Sequence, residues 1–92
     1  MIEVNELKAL GLSETEAKTY LALLELGSGT VTSITHRAGI TRTLGYHSLD
    51  HLIELGLIEQ KNNSHPVEFH VKHPKKIFEY LEKENQFSLL QD

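Results

Sequence analysis

Both arginines of this 92-residue sequence lie in its middle, together with several of its hydroxyl-bearing side chains. Residues 31–49 contain Arg37 and Arg42 and no acidic residue, so this stretch carries a charge of +2 while the whole chain carries −4. Arginine binds phosphate groups and guanine bases through its planar fork of N–H donors. The other polar groups of this stretch that suit an anionic partner are Thr41, Thr43, Tyr46, His36 and His47. We therefore expect a negatively charged partner to bind here.

Six histidines raise the question of a metal site. His47 and His51 are four residues apart and would share one helical face, and His70 and His73 are three apart. The sequence has no cysteine, and no residue is placed to complete a ligand set with either pair. We therefore expect no metal or other cofactor and interpret the histidines as surface or DNA-facing groups.

The polar residues do not form a recognisable catalytic set. No Ser-His-Asp or paired-carboxylate arrangement can be placed on converging elements, and no glycine-rich phosphate loop follows a predicted strand. The sequence therefore predicts no enzymatic activity and no catalytic residue. Its composition, 39% hydrophobic and 24% charged, indicates a single globular domain over residues 1–92.

We expect a cytoplasmic protein. No apolar stretch approaches the roughly 20 residues of a membrane span. The first six residues include two acids where a secretion signal would carry lysines. The absence of cysteine also fits a reducing compartment.

The spacing of apolar residues predicts four helices in the first part of the chain. A short one covers residues 4–10, and a capping box from Ser13 to Glu16 opens a longer one that ends at Gly27. Residues 28–30 are a predicted turn. A third helix begins at Thr32 or Ser33 and ends at Gly39, and a fourth, capped by Thr41, ends at Gly56 with an apolar side formed by Leu44, Leu49, Leu52, Ile53 and Leu55.

The third and fourth helices, joined by a tight Gly-Ile-Thr turn, match a helix-turn-helix. Gly45 lies inside the second of them, where we expect it to allow close packing against the first. The N-terminal half of the second helix of such a motif reaches base edges in the major groove. The predicted DNA contacts there are Thr41, Arg42, Thr43, Tyr46 and His47, and on the preceding helix Arg37, which would bind phosphate.

After the fourth helix, the pattern changes from helical to alternating. Residues 57–61 and 67–71 are predicted strands of a hairpin with Val67, Phe69 and Val71 on one face. This hairpin would form a wing of about residues 57–71. The residues at its tip that would contact phosphates or the minor groove are Lys61, Asn63 and His65, and a plain solvated turn is the alternative.

The order of the elements predicts a mostly helical α+β fold, a winged helix-turn-helix with flanking N- and C-terminal helices. Residues 10–27 and 52–59, together with Ile34, residues 38–40, Tyr46 and residues 73–76, resemble TrmB-like archaeal transcriptional regulators. The resemblance implies a DNA-binding winged helix that is usually dimeric and is often followed by a sugar-binding domain. Because the sequence ends at Asp92, we expect the DNA-binding domain alone and no evident small-molecule effector.

Apolar residues at both ends of the chain predict a homodimer. Pro74 opens a last helix, to about residue 90, and the apolar residues of the two terminal helices exceed what one small core buries. A symmetric dimer would also place two recognition helices over successive half-sites. The predicted interface residues are Val4, Leu7, Ile77, Leu81, Phe87 and Leu90. The alternative is that both helices cap their own domain.

Two functions from different classes follow from these observations. The first is a homodimeric transcriptional regulator that binds duplex DNA, which the acid-free residues 31–49 favour. The second is a winged-helix module for protein–protein interaction that binds no DNA, which the net charge of −4 favours.

Overall fold

A computed structural model describes residues 2–61, 65–75 and 77 of the chain. The described elements are, in chain order, α1 (Val4–Ala9), α2 (Glu14–Leu26), β1 (Ser28–Thr30), α3 (Val31–Ala38), α4 (Arg42–Glu54), β2 (Ile58–Gln60) and β3 (Glu68–Val71). The three strands form an antiparallel sheet in the order β1-β3-β2. The predicted mostly helical α+β fold is confirmed. The predicted last helix lies almost entirely outside the described residues.

Side-chain caps set the helix starts that the sequence indicates most clearly. At the start of α2 the Ser13 hydroxyl accepts from the Glu16 amide at 3.2 Å, and the Glu16 carboxylate accepts from the Ser13 amide at 2.9 Å. This is the predicted capping box. At the start of α4 the Thr41 hydroxyl accepts from the Leu44 amide at 3.2 Å, also as predicted. Each cap satisfies amides that have no partner inside the helix.

The prediction of a turn at residues 28–30 is wrong. These residues form β1, which pairs with β3 so that Gly29 lies opposite Phe69. The helix after it begins at Val31 rather than near Thr32 or Ser33, because the Thr30 hydroxyl accepts from the Ser33 amide at 3.2 Å. Ser-Gly-Thr has no apolar alternation, so its strand character comes from pairing with a distant segment.

The hydrophobic core lies between the helices and one face of the sheet. α2 packs against α1, α3, α4 and β3. The largest buried side chains include Tyr20, Leu23, Ile34, Leu49 and Leu52. Tyr20 is almost completely buried at the centre of α2, and this burial raises its pKa to about 12.

Three residues predicted on buried faces are exposed. Leu44 and Ile53 of α4 are 43% and 36% exposed, because α4 buries a narrower stripe formed by Gly45, Ser48, Leu49 and Leu52. Val67 is 41% exposed because β3 begins one residue later, so that only Phe69 and Val71 of the predicted face are buried.

Gly45 brings α3 and α4 close together, as predicted. A Cβ atom at this position would collide with the Cγ2 methyl of Thr35 on α3. Thr35 is itself fixed, since its hydroxyl donates to the Val31 carbonyl at 2.8 Å. The backbone of α4 at Gly45 therefore lies directly against the Thr35 side chain of α3.

The residues predicted at a dimer interface divide into three groups. Leu7 and Ile77 are fully buried within the chain itself. Val4 is half-buried against the same core. The remaining three lie outside the described residues: Leu81, Phe87 and Leu90. Dimerisation stays a prediction.

Candidate nucleic-acid interface

The turn between α3 and α4 fixes the angle at which α4 leaves the core. Gly39 has a φ of 71° and ends α3 in the left-handed conformation, which favours glycine. The amides of Gly39 and Ile40 both donate to the Thr35 carbonyl, at 2.9 and 3.1 Å. Thr41 then caps α4, so only three residues, Gly39, Ile40 and Thr41, separate the two helices.

The first two turns of α4 present the predicted DNA-binding residues to solvent. The exposed polar side chains there are Thr41, Arg42, Thr43, Tyr46 and His47. No acidic residue lies between Val31 and Leu49, and the positive end of the α4 dipole adds to the charge of Arg42. This half of α4 is therefore a surface that attracts an anion.

Arg42 is held by contacts with two helices. Its Nη1 donates to the Thr32 hydroxyl of α3 at 2.7 Å. Its Nη2 donates to the Tyr46 hydroxyl at 3.4 Å, and the guanidinium carbon lies 5.7 Å from the centre of the Tyr46 ring. The distance to the ring is in the range of a cation–π contact. The guanidinium thus has a defined position although it is exposed to solvent.

A cleft of about 590 Å³ separates α4 from the hairpin of β2 and β3. Arg42, Tyr46 and Asp50 line it from α4, since residues four apart share one helical face. The rest of its lining consists of Thr30, Val31, Thr32, Gln60, His65, Pro66, Val67 and Phe69. The cleft joins the predicted recognition helix, the start of α3 and the predicted wing into one continuous surface.

The second half of α4 has the opposite charge. Asp50 and Glu54 are exposed, and Asp50 lies in the same helical row as Arg42 and Tyr46. Carboxylates at these positions repel phosphate groups. Only the first two turns of α4 are therefore electrostatically suited to contact nucleic acid.

Arg37 lies away from this surface. Its Nε donates to Glu25 Oε1 of α2 at 3.1 Å, and both side chains are about half exposed. Arg37 follows Thr32 by five residues, so it is turned by about 140° around the helix axis from the side that meets Arg42. The structure does not bring the two arginines together, and the predicted phosphate contact of Arg37 would compete with its ion pair.

The predicted wing residues have different surroundings. Lys61 Nζ lies 3.7 Å from Glu68 Oε1 on the neighbouring strand, so a carboxylate accompanies its charge. His65 is exposed and lines the cleft. Asn63 lies outside the described residues.

Two histidines pair with carboxylates. His51 Nδ1 contacts Glu16 Oε2, which links α4 to the start of α2, and His70 Nε2 lies 2.9 Å from Glu59 Oε1 on the sheet. Burial raises the pKa of Glu16, but hydrogen bonds from Ser13 and His51 and the charge of His51 outweigh it, so the pKa lies below its usual value. Among the described residues, no three potential metal ligands come together.

Sequence reasoning did not identify Thr32 as part of the site. The sequence predicts Thr32 as a possible helix start, whereas its hydroxyl accepts from Arg42 across the helix-turn-helix. The contact joins residues ten positions apart on different helices. The sequence signal for this contact is a hydroxyl residue in the first turn of α3. That signal is informative only once Thr30 is known to cap α3, because the Thr32 hydroxyl is then not needed for the cap.

Residues 7–83 match the family described as the sugar-specific transcriptional regulator TrmB. No curated relative matches the sequence. No described helix has both the length and the apolar character needed to span a bilayer.

Solved structures with the same fold include TrmBL2, an archaeal chromatin protein described as showing a novel mode of DNA binding. Its TM-score is 0.74 at 21% identity over 90% of this chain and 32% of its own, so the chain spans about a third of that protein. ST1889 from the archaeon Sulfolobus tokodaii has a TM-score of 0.71 at 21% identity, over 89% of this chain and 86% of its own.

A MarR family protein from Bacillus stearothermophilus also matches. Its TM-score is 0.69 at 19% identity, over 89% of this chain and 60% of its own. At these identities the likeness establishes the fold, and the predicted winged helix-turn-helix is thereby confirmed.

Proposed function

The chain belongs to the TrmB family of transcriptional regulators, and we propose that it binds duplex DNA with the first two turns of α4 in the major groove. The family and the fold are those of transcription regulators rather than of enzymes. The observation that carries the proposal is the exposed, acid-free first half of α4, in which Arg42 has a defined position.

Each exposed polar residue in this half of α4 has a proposed contact. Arg42 would bind guanine or phosphate, and Thr41 and Thr43 would bind phosphates or contact a thymine methyl group. Tyr46 and His47 would reach the backbone or a base edge one turn further along. The chemistry of these groups matches both elements of a DNA surface, the anionic strand and the base edges.

The hairpin would approach the duplex on the other side of the cleft. With α4 in the major groove and the hairpin near the adjacent minor groove, one sugar-phosphate strand of the duplex would lie between them. We propose that this strand runs along the part of the cleft lined by Arg42 and Tyr46, away from Asp50, with Lys61 and His65 contacting phosphates or the minor groove. Asn63 stays a predicted contact of the same kind.

We further propose that the protein acts as a homodimer in the cytoplasm. A domain with a net charge of −4 makes few favourable phosphate contacts per copy, and each adds a small, salt-screened increment of affinity. Two joined copies would make the second half-site contact effectively intramolecular. TrmBL2 and ST1889 are archaeal proteins, and archaeal cells have no nucleus, which supports the cytoplasmic location.

The competing function is a protein-interaction module, which the net negative charge favours. A fluorescence anisotropy titration of random-sequence duplex DNA at several salt concentrations separates the two. We expect binding that weakens as salt increases, since phosphate contacts release counterions. An absence of binding at low salt would support the interaction module instead.

Arg42→Ala and Arg37→Ala form a matched pair for the same assay, because each removes one surface arginine. We expect Arg42→Ala to weaken specific binding by about 1–3 kcal/mol. Arg37→Ala should cost clearly less, since Arg37 is paired with Glu25 on another side of α3. Equal losses for the two variants would contradict the assignment of the site to the first half of α4.

A further inference from the structure

We propose that Thr32 on α3 is a positioning residue that holds Arg42 of α4 in the orientation with which it discriminates between DNA sequences. The inference rests on the proposed function. To that function the inference adds Thr32, a residue outside the recognition helix that controls sequence specificity through the Arg42 side chain.

The contact between the two residues is short and is not needed for the helix cap. Arg42 Nη1 donates to Thr32 Oγ1 at 2.7 Å, the short end of the usual range for N–H···O hydrogen bonds. The cap of α3 is provided by Thr30, whose hydroxyl accepts from the Ser33 amide. The Thr32 hydroxyl is therefore available to fix the guanidinium group.

Tyr46 provides the second anchor, from one turn further along α4. Its ring lies 5.7 Å from the guanidinium carbon, and its hydroxyl accepts from Nη2 at 3.4 Å. A guanidinium group has five N–H donors. The two hydrogen bonds use two of them and leave three for other partners, and contacts from α3 and α4 together fix the orientation of the group.

A fixed orientation matters for base recognition more than for attraction to the backbone. Two parallel hydrogen bonds to guanine require the guanidinium plane to align with the base edge. Attraction to phosphate depends mainly on the charge, which remains when the side chain is mobile. Loss of the Thr32 hydroxyl should therefore reduce discrimination between sequences more than it reduces binding to random DNA.

The experiment begins with selection of a preferred duplex from a random pool by the wild-type chain. Dissociation constants for that duplex and for a scrambled one are then measured at one salt concentration. The variants are Thr32→Val, which removes the hydroxyl at similar size, Thr32→Ser, which keeps it, Arg42→Ala, and the double variant Thr32→Val/Arg42→Ala.

We expect Thr32→Val to lower the ratio of the two affinities by about fivefold, while binding to the scrambled duplex changes by less than about twofold. Thr32→Ser should keep the wild-type ratio. In the Arg42→Ala background, Thr32→Val should have no further effect, because a positioning residue acts only through the side chain that it positions.

A second measurement needs no DNA. Relaxation of the Arg42 Nε–H group by NMR should show an ordered side chain in the wild type and in Thr32→Ser, and a mobile one in Thr32→Val. Thermal unfolding of the variants provides the check that the fold is kept.

A wild-type ratio in Thr32→Val, or an equal loss with and without Arg42, would overturn the inference and leave the proposed function standing. Failure of the wild type to bind any duplex would overturn the proposed function and the inference with it.

Discussion

The two halves of α4 differ in charge and in what holds them. The first half has exposed hydroxyl, aromatic and basic side chains, and its arginine is anchored to α3. The second half has Asp50 and Glu54 on its surface, and His51 binds it to Glu16 at the start of α2. One half is therefore arranged for an anionic partner and the other for attachment to the core. A recognition helix can thus belong to an acidic domain when the basic residues of the helix lie at one end and its acidic residues at the other.

The largest effect on DNA affinity is expected from separating the two copies of the proposed dimer. We expect one copy to bind DNA weakly at physiological salt, because the first half of α4 carries few basic groups. Leu81→Glu or Phe87→Glu, chosen from the periodicity of the sequence, should reduce dimerisation and weaken DNA binding by about 100-fold. Sedimentation measures the first effect and anisotropy the second. A wild-type monomer at tens of micromolar that still binds DNA would contradict this prediction.

A smaller loss is expected when an acid is introduced into the first half of α4. Thr43→Glu places a carboxylate beside the proposed phosphate contacts and should cost about 2 kcal/mol of DNA affinity. Glu54→Gln is the matched change in the second half, and we expect it to alter affinity by less than about 0.5 kcal/mol. Comparable effects at both positions would show that the division of α4 into two functional halves is wrong.

Gly45 lies in the first half of α4 and tests the packing that orients this half against α3. Gly45→Ala places a methyl group against the Thr35 Cγ2 atom, and overpacking of this kind costs about 1–3 kcal/mol. The free energy of unfolding in urea should fall accordingly. Thr35→Ser removes the methyl group that collides, so the double variant Gly45→Ala/Thr35→Ser should recover most of the loss. If the double variant recovers none of the lost unfolding free energy, the Thr35 methyl group is not the source of the overpacking.

The smallest effect concerns the second half of α4 and its contact with α2. Because the pKa of Glu16 is lowered in the folded chain, its charged form stabilises the fold. That contribution is present above the usual pKa of 4.5 and is lost as the pH falls through the lowered value.

Glu16→Gln should therefore cost about 1 kcal/mol of unfolding free energy near neutral pH. The difference from the wild type should disappear in acid. A difference that does not depend on pH would show that the charge of Glu16 contributes nothing.

The sequence predicted the features that local chemistry determines. The caps at Ser13 and Thr41 were predicted because a hydroxyl residue at a helix start forms bonds within its own turn. The role of Gly45 followed from the cost of glycine inside a helix.

Features that depend on distant partners were not predictable in the same way. Ser28-Gly29-Thr30 becomes a strand only because β3 pairs with it. The contact of Thr32 with Arg42 requires the angle between α3 and α4. The exposure of Leu44 and Ile53 depends on how much of α4 its neighbours cover. In each case the local sequence allows more than one outcome, and tertiary packing selects one of them.

DNA binding by the first half of α4 is tested most directly by an NMR titration of the isotopically labelled chain with a short duplex. The titration follows every backbone amide at once. We predict that the chemical shifts of residues 41–47 and of the hairpin residues Lys61 and His65 change most. Residues 50–55 of α4 and the surroundings of Arg37 should change little. Equal changes along the whole of α4, or changes centred on Asp50 and Glu54, would contradict the claim that DNA binds to the first half of this helix.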